Sequence, residues 1–483
     1  MKRNILARRA ASAALAACMM FSLSAPALAE STDALLQQST AAKSAVSVLD
    51  EENGMMEEEP AYQMNLKYGS IRVYIGDDGK QYAQQGENAP QQRGNLSITT
   101  NGSPTENTIT IEGGTMGAKV TLSNVNIDAP SAAVSVSGNV ELVITGTNTL
   151  RSGTDRAGVE KADDNGTLTI SGTGTLNAYG GESGAGIGSV KDVDVSNIVI
   201  ESGTINAYGG STGEGWGAGI GGGTQGNDVT ITGNAVVNAY SEFGSAIGDG
   251  RPWGGSDTTI TISGNATVHA EGKNATTAIG SSQNGHSGNL TITIADNANV
   301  TAIGSTNAPA IGNAYSSGDG NTTIRITGGT VNAINSYDDN KNLRKDYPAI
   351  GANGGKLNLT IDGSTGDTVV NVYQNDDAVP DGIGEPTTDP ETGELVYGVY
   401  KIPTSADYNE DGSSNLGEKN SVIINYYKNA SVIKEELQLP DTLDEYAKFD
   451  PDWNHHCTIT GGTLTKVVHN RKYMEEHPEE IVD

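Results

Sequence analysis

Residues 168–188 read LTISGTGTLNAYGGESGAGIG, and the chain returns to the same phrase again and again. The echoes are IVIESGTINAYGGSTGEGWGAGIG (198–221), VTITGNAVVNAYSEFGSAIG (229–248) and ITISGNATVHAEGKNATTAIG (260–280). A further copy, IRITGGTVNAINS (324–336), meets its matching Ala349, Ile350 and Gly351 only after a long gap. The final hydrophobe of each unit falls at Val159, Ile187, Ile220, Ile247, Ile279, Ile311 and Ile350, giving spacings of 28, 33, 27, 32, 32 and 39 residues. A repeat in the range of about 20 to 50 residues marks a solenoid, a propeller or an array.

Within each unit the pattern is that of strands. In VTITG (229–233), Val229 and Ile231 share one face while Thr230 and Thr232 share the other, the period of two of a half-buried strand. Val237 and Ala239 repeat this around Asn238, a corner follows, and Ile247-Gly248 closes the unit as a third, very short strand. A propeller blade would need four longer antiparallel strands and hairpin turns. Three brief strands and three corners predict an all-β fold, a right-handed single-stranded parallel β-helix with a coil period of about 27–39 residues and nine to eleven coils. Equivalent residues then stack at about 4.8 Å. Asn177, Asn206, Asn238, Asn332 and Asn371 are expected to form such a ladder, hydrogen-bonded through their amides.

The glycine-rich GWGAGIGGG (215–223) fits this frame. It lacks the Lys and Ser or Thr of a phosphate loop and the nine-residue spacing of stacked calcium loops. Its Ile220 has equivalents in the neighbouring units, so the glycines read as a tight corner.

The flanks divide the rest of the chain. Residues 1–29 have a basic start, an apolar run and a small-residue exit at Ala27 and Ala29, the pattern of a secretory signal peptide. The alternative is acylation at Cys18 within LAAC. Residues 30–63 form an acidic linker, 64–373 the β-helix, 374–420 an inserted acidic loop, 421–469 terminal coils, and 470–483 a polar tail. In the terminal coils CTITGGTLTKVV (457–468) resembles the repeat and predicts the last turn of the helix, with Cys457 inward.

The charge of −30 becomes −34 without the signal segment, which argues against nucleic acid as a partner, because a phosphate backbone needs a basic footprint. With 63 Gly and 15 Pro among 483 residues, the composition stays below that of a disordered chain. Only Cys457 lies beyond the signal segment, so packing, with or without an ion, must supply stability there. No later segment is apolar for long enough to cross a membrane as a helix. The expected location is extracellular, secreted or held at the cell surface.

The stretch KVTLSNVNIDAPSAAVSVSGNVELVITGTNTLRSGTDRAGVEKADDNGTLTISGTGTLNAYGGESGAGIG (119–188) and its successors resemble bacterial secreted proteins carrying a carbohydrate-binding-type β-helix domain, within the superfamily that includes pectate lyases. The resemblance implies an adhesin-like or carbohydrate-binding surface module, non-catalytic, whose partner is a polysaccharide or glycan. A polysaccharide lyase or hydrolase and a purely structural surface protein are the alternatives.

Candidate site residues follow from the chemistry. Tyr179, Tyr208 and Tyr240 fall at one outward position of successive coils and are expected to form an aromatic strip for sugar rings. Trp216 and Trp253 sit in the corner loops EGWGAG and RPWGGS. Asp407, Asn409, Asp411, Gly412, Ser413 and Glu418 match a calcium loop, in which alternate oxygens wrap a hard cation and Glu418 closes the set at the twelfth position. His455, His456, Cys457 and His469 do not match zinc spacing. The acids Asp228, Asp257, Asp296 and Asp362 are scattered and make no pair suited to glycoside cleavage.

Overall fold

A computed structural model describes residues 61–374 apart from 164, 191–192, 194, 211–215, 223–226, 251–256, 274–275, 283–287, 306–307, 315–319, 336–347 and 353–355. It further describes 383–384, 386–388, 395–397, 420–434 and 457–480. The signal segment and most of the acidic linker lie outside these residues, as do the calcium-loop candidates Asp407, Asn409, Asp411, Ser413 and Glu418.

The described chain is a parallel β-helix with three strands per coil. One coil runs through Leu168–Gly172, Thr175–Tyr179 and Ile187–Gly188. Each strand pairs in parallel with its counterpart one coil on, matching Leu168 with Ile198, Leu176 with Ile205 and Ile187 with Ile220. The second strands alone build ten parallel rungs from Asn126–Asp128 to Val422–Lys434. Period-two alternation decides which residues enter the core. Ile170, Ile200, Ile231, Ile262, Ile294, Ile326 and Ile361 stack in one continuous inward column, each fully buried. Burying one such side chain contributes on the order of 1.5–3 kcal/mol.

The third strands explain the repeated Ile-Gly. The isoleucine points inward, and the glycine that follows occupies the left-handed region, with φ of +133° at Gly248 and +135° at Gly280. A Cβ on Gly248 would collide with the Gly280 carbonyl of the next coil, so only glycine fits. This column runs one coil further than the sequence pattern suggests. Ile383-Gly384 lies in register with Ile350-Gly351, so the insertion begins after Gly384 rather than at residue 374.

Both ends differ from the expected coils. Residues 81–92 are not a solenoid coil but an antiparallel cap. Ile71–Ile75 joins the third-strand column in parallel with Ile109, then turns back to pair antiparallel with Gln81–Gln85, which pairs antiparallel with Gln91–Gln92. At the other end Cys457–His469, expected as a last parallel coil, instead runs antiparallel to Val422–Lys434. The resemblance of CTITGGTLTKVV to the repeat is one of strand pattern, and strand pattern does not encode direction. Asn470 fastens this end. Its Oδ1 accepts from the Val422 and Tyr473 amides at 2.9 and 3.0 Å, and its Nδ2 donates to the Asn420 carbonyl at 2.8 Å. A short helix, Arg471–Glu476, follows within the polar tail. Ending the parallel ladder at both ends with antiparallel strands leaves fewer free edges for pairing with another chain.

Candidate carbohydrate-binding face

The asparagine ladder forms in two runs, separated by His269 and Thr301 in the same column. Asn206 donates to Asn177 at 2.7 Å and Asn238 to Asn206 at 2.8 Å. Asn371 donates to Asn332 and Asn425 to Asn371, both at 2.9 Å, adding a rung at Asn425 that the sequence pattern did not reveal. These amides satisfy one another along the axis of the solenoid, a structural use of the side chain.

Tyr179, Tyr208 and Tyr240 occupy the neighbouring outward column, in register as expected. They are not an open strip. Their exposures are 4, 1 and 6 %, and the rings of Tyr179 and Tyr208 stack at 4.4 Å with planes 9° apart. Rings stacked along the axis use their faces on each other and turn only edges outward, which removes the surface that a sugar ring packs against. Arg151 precedes the stack and Glu271 follows it in the same column. Further along, Tyr373 and Tyr427 stack in the same way at 4.7 Å, half-buried.

Trp216 is half-buried at its corner. The corner is tied to the next coil by Ser241, whose Oγ donates to the Gly217 carbonyl at 2.8 Å and accepts from the Gly244 amide at 2.9 Å. Trp253 lies outside the described residues. His469 stacks near Tyr473 at 5.8 Å, while His455 and His456 are outside the described residues. Among the described residues no group of three His, Cys, Asp or Glu side chains could hold a metal ion.

Three of the four scattered acids accept from backbone amides of the scaffold. Asp257 Oδ1 accepts from the Asn289 amide at 2.8 Å, Asp296 Oδ2 from the Gly264 amide at 2.9 Å, and Asp362 Oδ1 from the Ser364 amide at 2.8 Å. The Asp362 bond is local to its turn, while those of Asp257 and Asp296 tie a corner to the adjacent coil 32 residues away.

The face with the most regular outward chemistry is that of the first strands. One column runs Thr169, Val199, Thr230, Thr261, Thr293, Arg325, Thr360, and beside it runs Asp228, Thr259, Thr291, Thr323, Asn358. Rungs stand about 4.8 Å apart, and alternate residues along a strand about 6.8 Å apart, so the hydroxyls form a flat grid. The hydroxyls of Thr259, Thr261, Thr291, Thr293 and Thr323 make no intramolecular hydrogen bond, and these residues are exposed or half-buried. In a chain of net charge −30, the outward positions of the two central rungs carry no charge. Along one edge Asn289 accepts from Asn321 at 3.2 Å, extending the pattern with amides. Alternation already placed these threonines outward, and what the sequence did not reveal was that they share one flat face.

The grid continues at its N-terminal end into a shallow cleft of about 310 Å³ lined by Met116, Lys119, Asn139, Glu141, Thr167 and Thr169. Lys119, Glu141 and Thr169 are successive members of the same outward column as Thr230 and Thr261.

The fold and this face define the chain as a parallel β-helix protein. A family model described as "Beta helix repeat" matches residues 168–189 and 198–224, the two coils around the opening motif. Neither a curated protein nor a solved structure matches the chain significantly. Among the described residues no helix is long and apolar enough to cross a membrane.

Proposed function

We propose that this chain is an exported, non-catalytic β-helix protein, adhesin-like in use, that binds neutral polysaccharide along the outward face of its first strands. The observation that carries the reading is the uncharged threonine grid. Free hydroxyls at fixed spacing can both donate to and accept from a polymer of hydroxyls, whereas the tyrosines that would stack on sugar rings are buried. The lack of cations on the central rungs of an acidic protein disfavours an anionic chain, and the lack of carboxylates there gives a cationic one no local partner, so a neutral chain fits best.

The test is binding of the full chain to soluble β-glucan, xylan, mannan and starch, by affinity electrophoresis or titration calorimetry. A Thr261→Val, Thr293→Val double variant keeps the β-branched shape and removes two hydroxyls. Two hydrogen bonds of about 1 kcal/mol each correspond to a loss of roughly tenfold to thirtyfold. Absence of binding to every polymer by the wild type would sink the proposal and leave a structural role, and release of sugar fragments would point to an enzyme instead. Calcium binding by Asp407, Asn409, Asp411, Ser413 and Glu418 is a separate proposal, resting on the sequence pattern alone. It is tested by calcium titration of the wild type against Asp407→Ala, and equal profiles would dismiss it.

A further inference from the structure

We infer that the cleft at the N-terminal end of the first-strand face is a subsite that holds one neutral pyranose ring and so anchors a glycan chain on the grid. The inference rests on the polysaccharide reading above and adds the residues and the chemistry of one specific contact.

The cleft is concave and combines four kinds of group. Lys119 Nζ and Glu141 Oε1 form an ion pair at 2.9 Å, with side chains 55 and 42 % exposed, so both heads are reachable from solvent. An ionised carboxylate offers about four acceptor sites, so Glu141 can accept from an incoming hydroxyl while it is paired with Lys119. The hydroxyls of Thr167 and Thr169 have no intramolecular hydrogen bond, and both residues are half-buried in the floor. Met116 forms the wall. It is 73 % exposed, the most exposed large apolar side chain among the described residues, and its Cε would lie 3.9 Å from a Cβ on Gly79, at the turn of the N-terminal cap.

These groups complement a sugar ring. A pyranose presents vicinal hydroxyls at its rim and C–H bonds on its faces. An ammonium donates to ring or hydroxyl oxygens, a carboxylate accepts from adjacent hydroxyls, and a polarizable thioether packs against the C–H face. The lysine and glutamate neutralise each other, so the site carries no net charge and suits a neutral ring rather than an anion. The size fits too, since ligand sites begin near 300 Å³. Position supplies the rest. Thr169 lies three rungs from Thr261, about 14 Å along the axis, so a glycan held in the cleft and running along the solenoid reaches the charge-free rungs.

The Asn139 amide is already committed, its Nδ2 donating to the Thr115 carbonyl at 3.0 Å and its Oδ1 accepting from the Thr167 amide at 2.9 Å. It therefore fixes the floor of the cleft and is a positioning residue.

The experiment titrates the full chain with cellohexaose, xylohexaose, mannohexaose and maltohexaose, comparing wild type with Glu141→Gln, Thr169→Val and Met116→Ala, with circular dichroism to verify folding. For whichever oligosaccharide the wild type binds, Glu141→Gln and Thr169→Val are expected to weaken binding at least tenfold and Met116→Ala severalfold, at unchanged thermal midpoint. If the wild type binds and the three cleft variants match it while Thr261→Val, Thr293→Val is weakened, the cleft is not a subsite and the polysaccharide reading survives. If the wild type binds none of the four and none of the polymers above, the polysaccharide reading fails and this inference falls with it.

Discussion

Replacing Asn206 by alanine tests how the solenoid is held together. Asn206 is 4 % exposed and sits in the middle of the amide ladder, donating to Asn177 at 2.7 Å and accepting from Asn238 at 2.8 Å. The substitution removes both bonds, each worth about 0.5–1.5 kcal/mol net. It also strands the Asn177 carbonyl oxygen, in a residue only 7 % exposed, where a lost partner costs about 1–3 kcal/mol because little water can replace it. Asn238 is half-buried and regains water. The expected destabilisation is about 2–4 kcal/mol.

The control is Asn265→Ala. It also sits in an amide ladder, donating to Asn234 and accepting from Asn297, both at 3.1 Å, but all three residues are exposed. Water replaces each lost bond, so the cost should stay within about 0.5 kcal/mol. Urea denaturation of the two variants measures both numbers, and an unchanged slope shows that the compactness of the end states is preserved. Hydrogen exchange should show loss of protection centred on the second strand 204–208 and its neighbours 175–179 and 236–241, since each coil contacts only its neighbours. A cost for Asn206→Ala no larger than that for Asn265→Ala would refute the argument that burial makes this ladder structural.

Other outcomes follow from the same geometry. Gly248→Ala forces a Cβ into the Gly280 carbonyl at a φ of +133°, so a loss of at least 3 kcal/mol or failure to accumulate folded protein is expected, and a wild-type melting curve would contradict it. Tyr208→Ala removes a fully buried ring from the stack and should cost about 3–5 kcal/mol. Any loss of glycan binding by this variant should track lost folding, and a selective binding defect at full stability would return the tyrosines to the binding face. Glu160 is 3 % exposed, and burial pushes its carboxyl above the ordinary range, opposed by Arg156 at 3.0 Å and by the Ala157 amide. A raised folded value means that this group favours the fold below the ordinary carboxyl pKa of about 4.3 and that the benefit is lost as pH rises through the folded value. Wild type should therefore lose stability relative to Glu160→Gln as pH rises from the ordinary carboxyl range through the folded value, and a difference that is flat or of opposite sign would exclude a buried, raised carboxyl.

The sequence by itself determined the coil. Alternation in VTITG and its equivalents fixes which residues point inward, and the recurrent Ile-Gly places the third strand, so Ile231, Ile262 and Ile294 stack as their spacing requires. The Asn177, Asn206 and Asn238 ladder was legible for the same reason, because equivalent positions in a solenoid must meet.

What only the tertiary structure decided was what covers or faces each outward position. Tyr179, Tyr208 and Tyr240 are outward by pattern yet buried in space, because period two separates the faces of a strand and is blind to what lies over the outer one. The direction of Cys457–His469 was equally hidden, since parallel and antiparallel strands share one alternation and differ only in how the chain returns. The cleft, too, emerged only in three dimensions. Met116, Lys119, Glu141 and Thr169 come from three coils, and adjacency across coils is set by register, which a one-dimensional pattern of uneven coil lengths does not specify.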